Sequence, residues 1–319
     1  MTLELERTAV VELARSLGGT DFGLRQVCQG GDWLFLLVSF HGAESRLHCA
    51  VVAAGRDTLE VGATQVLGYI KHDNGGGTLH CTASGSRVSV GTEFTVHVLE
   101  HREGSFAASH AVDTEQSTED GWFWGEDHLL HLDEMSAGGL VLTDLRDGHA
   151  SVLELEAVDR YGVSPAAAFG ATLAAGELIV VALPELTVLG RHPVGGSRDE
   201  LLFHPTRPEL FTIREDAMVR VDVAADGTRV TELRSVPTGR LEAFDLAGRK
   251  AFARTDHYRL PSTPLTVELW DADEDRLSVL PLPVDGRDWW VLPDDALAVA
   301  HRGPEPPGGV RLSFARLRD

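Results

Sequence analysis

Apolar and polar residues alternate with a period of two over most of the chain. Residues 219–223 read Val-Arg-Val-Asp-Val and residues 96–100 read Val-His-Val-Leu-Glu. A β-strand points successive side chains to opposite faces, so this alternation is typical of strands. A helical period is nearly absent. Residues 8–17 would suit a helix, although residues 9–13 would serve equally well as a strand. The pattern predicts an all-β protein.

A recurring hairpin organises this pattern. Its first strand ends at an acidic or small residue. A polar turn follows, and then a second apolar strand. The clearest copies have first strands at residues 140–144, 219–222 and 267–271, turns at 146–148, 225–227 and 273–275, and returning strands at 150–155, 229–233 and 277–280.

The hairpins repeat at a regular spacing. With weaker copies included, the first strands end at seven anchor positions, residues 53, 100, 144, 182, 222, 271 and 314, with spacings of 47, 44, 38, 40, 49 and 43 residues. Two further strands precede most anchors, for example residues 200–203 and 210–213 before residue 222. This rhythm matches the four-stranded blade of a β-propeller. We therefore expect a single domain, residues 1–319, that forms a seven-bladed propeller.

The last blade lacks one strand. Only five residues follow the anchor at Phe314, too few for a turn and a full outer strand. The N-terminal segment around residues 8–14 has the right length to supply it. Pairing the first strand with the last blade would close the ring and remove its exposed edges. The alternative fold is a pair of β-sandwiches or two separate β-domains.

Two short segments resemble known propellers. Leu269-Trp270-Asp271 ends a third strand, and Phe203-His204-Pro205 leaves an inner strand. On these segments and its blade rhythm, the chain resembles the WD-repeat and related seven-bladed β-propellers. The resemblance implies the architecture and no activity, although bacterial seven-bladed lactonases share the Phe-His-Pro type of segment.

The composition narrows the class of partner. The 319 residues carry a net charge of −21, with 43% hydrophobic residues and three cysteines. An acidic surface repels phosphate backbones and anionic lipids, so we expect neither nucleic acid nor membrane as a partner. The start of the chain has no leader pattern, and the three cysteines form no Cys-x-x-Cys pair. We expect a cytoplasmic monomer without a disulfide framework.

An arginine recurs where the inner strands of blades four to seven begin. A propeller binds ligands at the mouth of its central channel, where these positions converge. Four guanidinium groups there would suit a carboxylate or phosphate. The alternative is that each arginine ties its blade to a neighbour's acid, and we favour this over a binding role. The four residues are Arg160, Arg198, Arg240 and Arg287.

Other candidate residues lie in loops and at strand starts. His257, beside an acid and the phenol of Tyr258, has the neighbours of a general base, although a loop histidine is more often simply exposed to solvent. Trp289 would suit a channel lining or blade packing. His128 and His131 lie in an acidic stretch whose residue types could bind a divalent metal. Residues three apart on a strand face opposite ways and cannot converge on one ion, so we expect a solvated edge instead. The repeated Leu-His-Cys tripeptides at residues 47–49 and 79–81 favour a zinc site only weakly. We expect no metal and no cofactor.

Two functions follow. The first is a binding protein or interaction scaffold that engages a protein partner or a small acidic ligand at the channel mouth. The alternative is an enzyme of the lyase, cyclase or lactonase type, with arginines holding an anionic substrate in the funnel and His257 acting as the base. The sequence contains none of the common catalytic motifs.

Overall fold

The computed structural model of the chain is built from strands. It describes residues 2–42, 44, 46–69, 78–92, 95–102, 104–113, 121–132, 139–194, 201–204, 206–214, 217–235, 240–246, 249–255, 266–271, 276–293, 296–301 and 304–318. Within these ranges there is one short helix, α1 (Ala14–Leu17). No helix in the described part of the chain has the length and apolar character of a membrane span.

The chain divides into two compact units, residues 1–126 with 282–319 and residues 127–281. The strands of the first unit are β1 (Thr2–Glu12), β2 (Thr20–Gly30), β3 (Trp33–His41), β4 (Leu47–Gly55), β5 (Val61–Tyr69), β6 (Thr78–Cys81), β7 (Arg87–Gly91), β8 (Thr95–Arg102), β9 (Ser105–Asp113), β10 (Trp122–Trp124), β26 (Gly286–Leu292), β27 (Ala296–His301) and β28 (Gly309–Arg318). The strands of the second unit are β11 (His128–Leu132), β12 (Gly139–Asp144), β13 (Ala150–Glu154), β14 (Val158–Val163), β15 (Phe169–Ala174), β16 (Glu177–Ala182), β17 (Thr187–Pro193), β18 (Leu201–Phe203), β19 (Glu209–Arg214), β20 (Ala217–Ala224), β21 (Gly227–Ser235), β22 (Arg240–Leu246), β23 (Arg249–Thr255), β24 (Thr266–Asp271) and β25 (Arg276–Pro281).

Within the described residues these strands form seven four-stranded sheets, the predicted blades. Blades one to six each take four consecutive strands, namely β2 to β5, β6 to β9, β10 to β13, β14 to β17, β18 to β21 and β22 to β25. Blade seven has the order β26-β27-β28-β1. All seven anchor positions read from the sequence fall on the third strand of a blade. The predicted blade rhythm is therefore confirmed.

The first strand of the chain is the outer strand of blade seven. β1 pairs antiparallel with β28 from Thr2 opposite Arg318 to Glu12 opposite Gly309. The backbone amide of Leu13 then donates to the carbonyl of Gly308 at 2.7 Å. The N-terminal segment thus supplies the strand that the last anchor lacks.

Blade one buries both faces of its second strand. On β3, Leu34, Leu36 and Val38 join an apolar cluster with residues of blade seven, whereas Phe35 and Leu37 join a second cluster with residues of blade two. All five side chains are 0% exposed. Because successive side chains alternate between faces, a strand packed on both sides needs a continuous apolar run. Face-to-face packing of neighbouring blades therefore explains why residues 34–38 contain no polar position.

The second unit repeats this packing between blades four and five. Phe169 and Val180 of blade four cluster with Leu210 and Val221 of blade five, and each is at most 2% exposed. The outer strands are more exposed to solvent, and Val152 on β13 is 53% exposed. The apolar core of this unit accordingly lies on its inner and middle strands.

Candidate functional site

The candidate site is the set of positions where the inner strands begin. Arg287 is the second residue of β26, and Arg160 lies in β14. The backbone of Arg240 begins β22, but its side chain is outside the described part of the chain. Arg198, His257 and Tyr258 also lie outside the described residues. Roles in ligand binding or catalysis for these four residues stay predictions.

Arg287 is held by groups of its own unit. Its Nη2 atom lies 3.4 Å from Oε1 of Glu305 and donates to the carbonyl of Leu24 at 3.2 Å. Leu24 belongs to the inner strand of blade one, so the guanidinium links blades seven and one. The other carboxylate oxygen of Glu305 accepts from the backbone amide of Arg311 at 2.8 Å. The guanidinium thus ties blade seven to blade one through a backbone carbonyl, whereas its acidic partner Glu305 belongs to its own blade and not, as the alternative from the sequence required, to a neighbour.

Arg160 occupies the same stage of the repeat in the second unit and has a different environment. The residue is exposed, and a shift in strand register falls between Val158 and Arg160. Its carbonyl accepts the hydroxyl of Thr172 at 2.8 Å, which fixes the backbone. Within the described ranges its guanidinium forms no ion pair or hydrogen bond. The structure therefore leaves this cation open to solvent.

Trp289 is packed inside the first unit. Its side chain is 2% exposed, and the residue pairs across the sheet with Val299. A side chain this buried contributes to packing, as one of the two roles proposed from the sequence requires. Trp122 also packs within this unit, with its ring centroid 3.8 Å from that of His80.

A polar cluster that the sequence analysis missed joins the loop before β7 to Glu126. The hydroxyls of Ser84 and Ser86 donate to Oε2 of Glu126 at 2.6 and 2.8 Å, and the backbone amide of Ser84 donates to Oε1 at 3.1 Å. The guanidinium of Arg87 also donates to the backbone carbonyl of Glu126. Burial opposes ionisation of Glu126, but these hydrogen bonds outweigh it and lower its pKa. The donors and the acceptor are some forty positions apart in sequence, so no local motif marks them.

His128 and His131 lie on the same strand of blade three but contact different partners. His131 is 6% exposed, with Nε2 2.9 Å from the Thr143 hydroxyl and Nδ1 2.8 Å from the carbonyl of Leu132. The expectation of a solvated edge is wrong for this residue, because β11 is the second strand of its sheet. Nε2 of His128 lies 3.8 Å from a carboxylate oxygen of Asp144. Among the described residues no group of three or more His, Cys, Asp and Glu is placed to hold a metal ion.

The strand order and the repeated hairpins define the fold as that of a β-propeller. The β-propeller domain of Cps50 (Swd1) from Myceliophteria thermophila is similar over 99% of this chain and 100% of its own, with a TM-score of 0.63 and 12% identity. BamB from Moraxella catarrhalis is similar over 100% of this chain and 98% of its own, with a TM-score of 0.60 and 13% identity. At these identities the likeness shows the fold alone. Comparisons with protein-family models and with curated proteins find no match.

Proposed function

We propose that the protein is a β-propeller interaction scaffold whose partner is a protein that presents an acidic side chain to Arg160. The observation that carries the proposal is the contrast between two arginines at the same stage of the repeat. Arg287 is held by Glu305 and Leu24, whereas Arg160 is exposed and unpaired within the described ranges. The partner would supply the carboxylate that Arg160 lacks.

The backbone around Arg160 supports this role. The Thr172 hydroxyl fixes the carbonyl of Arg160, and Thr172 is itself 0% exposed. A rigid support lowers the conformational entropy that a binding residue loses on association. The charge of the chain adds selectivity. A protein of net charge −21 repels an acidic partner over most of its surface, whereas an exposed arginine attracts it at one position.

Ring closure by β1 belongs to the same proposal. A scaffold must hold its loops in fixed positions, and the pairing of β1 with β28 covers an edge that would otherwise be open. We place the protein in the cytoplasm, where a scaffold of this charge meets soluble partners.

The test is quantitative capture of partners by purified protein in three forms: wild type, Arg160→Ala and Arg191→Ala. Arg191 is the matched control, because it is also exposed but pairs with Glu177 at 3.1 Å. The proposal requires a protein retained by wild type and by Arg191→Ala and lost or weakened at least tenfold with Arg160→Ala, a loss of about 1.4 kcal/mol. Equal retention by all three forms would remove Arg160 from the interface. Calorimetric titration with phosphate and with a dicarboxylate tests the small-ligand alternative on the same samples.

A further inference from the structure

The inner strands of blades one and two lie side by side in a defined register. The side-chain amide of Gln26 on β2 donates to the carbonyl of Leu79 at 3.1 Å and accepts from the amide of Leu79 at 2.9 Å. Further along, the amide of Gly31 donates to the carbonyl of Ala83 at 2.8 Å. Two residues beyond Gln26 on one strand and two beyond Leu79 on the other stand Cys28 and Cys81.

This register brings the two thiols together. The side chains of Cys28 and Cys81 are in hydrogen-bonding contact. Both pack against the apolar cluster shared by blades one and two, and both are half-buried rather than sealed. The third cysteine differs, because Cys49 is 3% exposed. The pair is therefore preformed, and neither residue is as deeply buried as Cys49.

The geometry points to Cys28 and Cys81 as a reversible dithiol pair, which a peroxide oxidises to a disulfide between blades one and two. One thiol attacks a peroxide oxygen, the O–O bond breaks, and a sulfenic acid and water form. The second thiol attacks the sulfenic sulfur and releases its hydroxyl as a second water. Two thiols lose two electrons and two protons, and one hydrogen peroxide becomes two waters. A dithiol reductant reverses the reaction by exchange.

The surroundings of the pair govern its rate. Burial, followed by the neighbouring Cys81, raises the pKa of Cys28 well above its ordinary value. Because the thiolate is the reactive form, oxidation should accelerate as the pH rises. In a reducing compartment the pair would stay as thiols, and only oxidative stress would join the strands.

The bond would add a covalent connection where the two blades meet through the hydrogen bonds of Gln26 and Gly31 and through apolar packing. A cross-link between positions far apart in sequence restricts the unfolded chain and so stabilises the fold. The oxidised protein should accordingly melt several degrees higher than the reduced protein. The proposal thus adds an oxidant response that the scaffold function does not require.

The experiment treats folded wild-type protein with hydrogen peroxide, blocks the remaining thiols at acidic pH and digests with trypsin. Cleavage after Arg25, Arg46, Arg56, Lys71 and Arg87 puts the three cysteines in separate peptides, residues 26–46, 47–56 and 72–87. We expect peptide 26–46 joined to peptide 72–87, with a mass two hydrogens below their sum, and release of both peptides by a dithiol. Formation should be faster at alkaline than at neutral pH.

Cys49→Ser is the matched control and should keep the cross-link, whereas Cys28→Ser and Cys81→Ser should lose both the cross-link and the rise in melting temperature. Three results would overturn the proposal: a link that involves peptide 47–56, a link between two molecules, or full blocking of Cys28 and Cys81 after oxidation. Each is read from wild-type protein, so the test does not depend on the variants folding.

Discussion

Blades seven and four have the same strand plan but differ in how their edges are secured. In blade seven, Arg287 is held by Glu305 and by the carbonyl of Leu24, and the first strand of the chain completes the sheet. In blade four all four strands are consecutive, and Arg160 at the start of the inner strand is exposed. The difference teaches that one repeat position is held by its neighbours in one blade and is exposed to solvent in another.

The first strand provides further ties in blade seven. The guanidinium of Arg7 donates to the carbonyls of Arg56 and Asp57 and lies 4.5 Å from the ring centroid of Phe314. The hydroxyl of Thr8 is 2.5 Å from that of Ser313. Arg56 and Asp57 follow β4 of blade one, so β1 links two blades as well as completing one.

The comparison would fail if blade seven were stable without its first strand. Deleting residues 1–20 removes Val11 and Leu13, both 0% exposed, and uncovers β28. Burial of these two side chains alone contributes about 3 to 6 kcal/mol. We expect a large fall in melting temperature and aggregation through the open edge, measured by calorimetry and light scattering.

Deleting residues 1–3 is the control for this truncation. It leaves the buried part of β1 in place and should change the melting temperature little. A 1–20 deletion that melts like wild type would contradict the role given to β1, and with it the proposed ring closure.

The apolar packing against blade seven should prove equivalent to that of blade four. Leu36 in blade one, packed against blade seven, and Leu178 in blade four are both 0% exposed. Truncation of such a leucine to alanine leaves a cavity and costs about 2 to 5 kcal/mol. We expect Leu36→Ala and Leu178→Ala to fall in this range in chemical denaturation, and Val152→Ala on an exposed outer strand to cost less than about 1 kcal/mol. Very unequal leucine values would place the difference between the blades in their cores rather than in their polar ties.

The arginines test the comparison directly. Arg287→Ala leaves the carboxylate of Glu305, whose side chain is 11% exposed, without its cation, while the Arg287 side chain itself is 39% exposed. The expected loss of stability is about 1 kcal/mol, because solvent screens an ion pair whose arginine is this exposed. Arg160→Ala should cost less than about 0.5 kcal/mol. Equal losses in denaturant titrations would show that both arginines are ties, or that neither is.

The smallest effect is a dependence on pH in blade seven. Nε2 of His301 lies 2.7 Å from the Ser313 hydroxyl. Burial, and then the charge of Arg311, lowers the pKa of His301 below its usual 6.5, although Glu305 and Asp285 act in the opposite direction. As the pH falls, His301 therefore takes up a proton in the unfolded chain, near pH 6.5, before it does so in the folded protein. The stability contributed by neutral His301 is intact above that pH and is lost as the pH falls.

We expect this loss to be small and to shrink in His301→Gln, as measured by unfolding from about pH 8 to about pH 5. His149→Gln, at an exposed position, is the control and should retain the acid loss of wild type. A steeper acid loss in His301→Gln would reverse the sign assigned here.

Periodicity predicted the fold because each strand has its own alternation. The third strands have a local signature, as in Val219 to Asp222. Too few residues follow Phe314 to form a fourth strand in the last blade, so the N-terminal segment had to supply it. The side-chain ties could not be predicted in the same way. Glu126 meets Ser84 and Ser86, and Arg287 meets Leu24, across blade boundaries that only the folded packing defines. Likewise, alternation correctly separated His131 from His128 but carried no information on how deeply His131 would be buried.

The pairing of Thr2 with Arg318 also has a consequence for how the chain folds during synthesis. Among the described strands, β1 precedes all the others along the chain and its partner β28 follows them. Blade seven cannot form until the strands between β1 and β28 have been made, so β1 must wait unpaired while other blades assemble from neighbouring strands. Contacts between such distant positions slow folding and leave strand edges exposed to other chains in the meantime. Blade seven is therefore where newly made protein would be most open to chaperones and to misassembly.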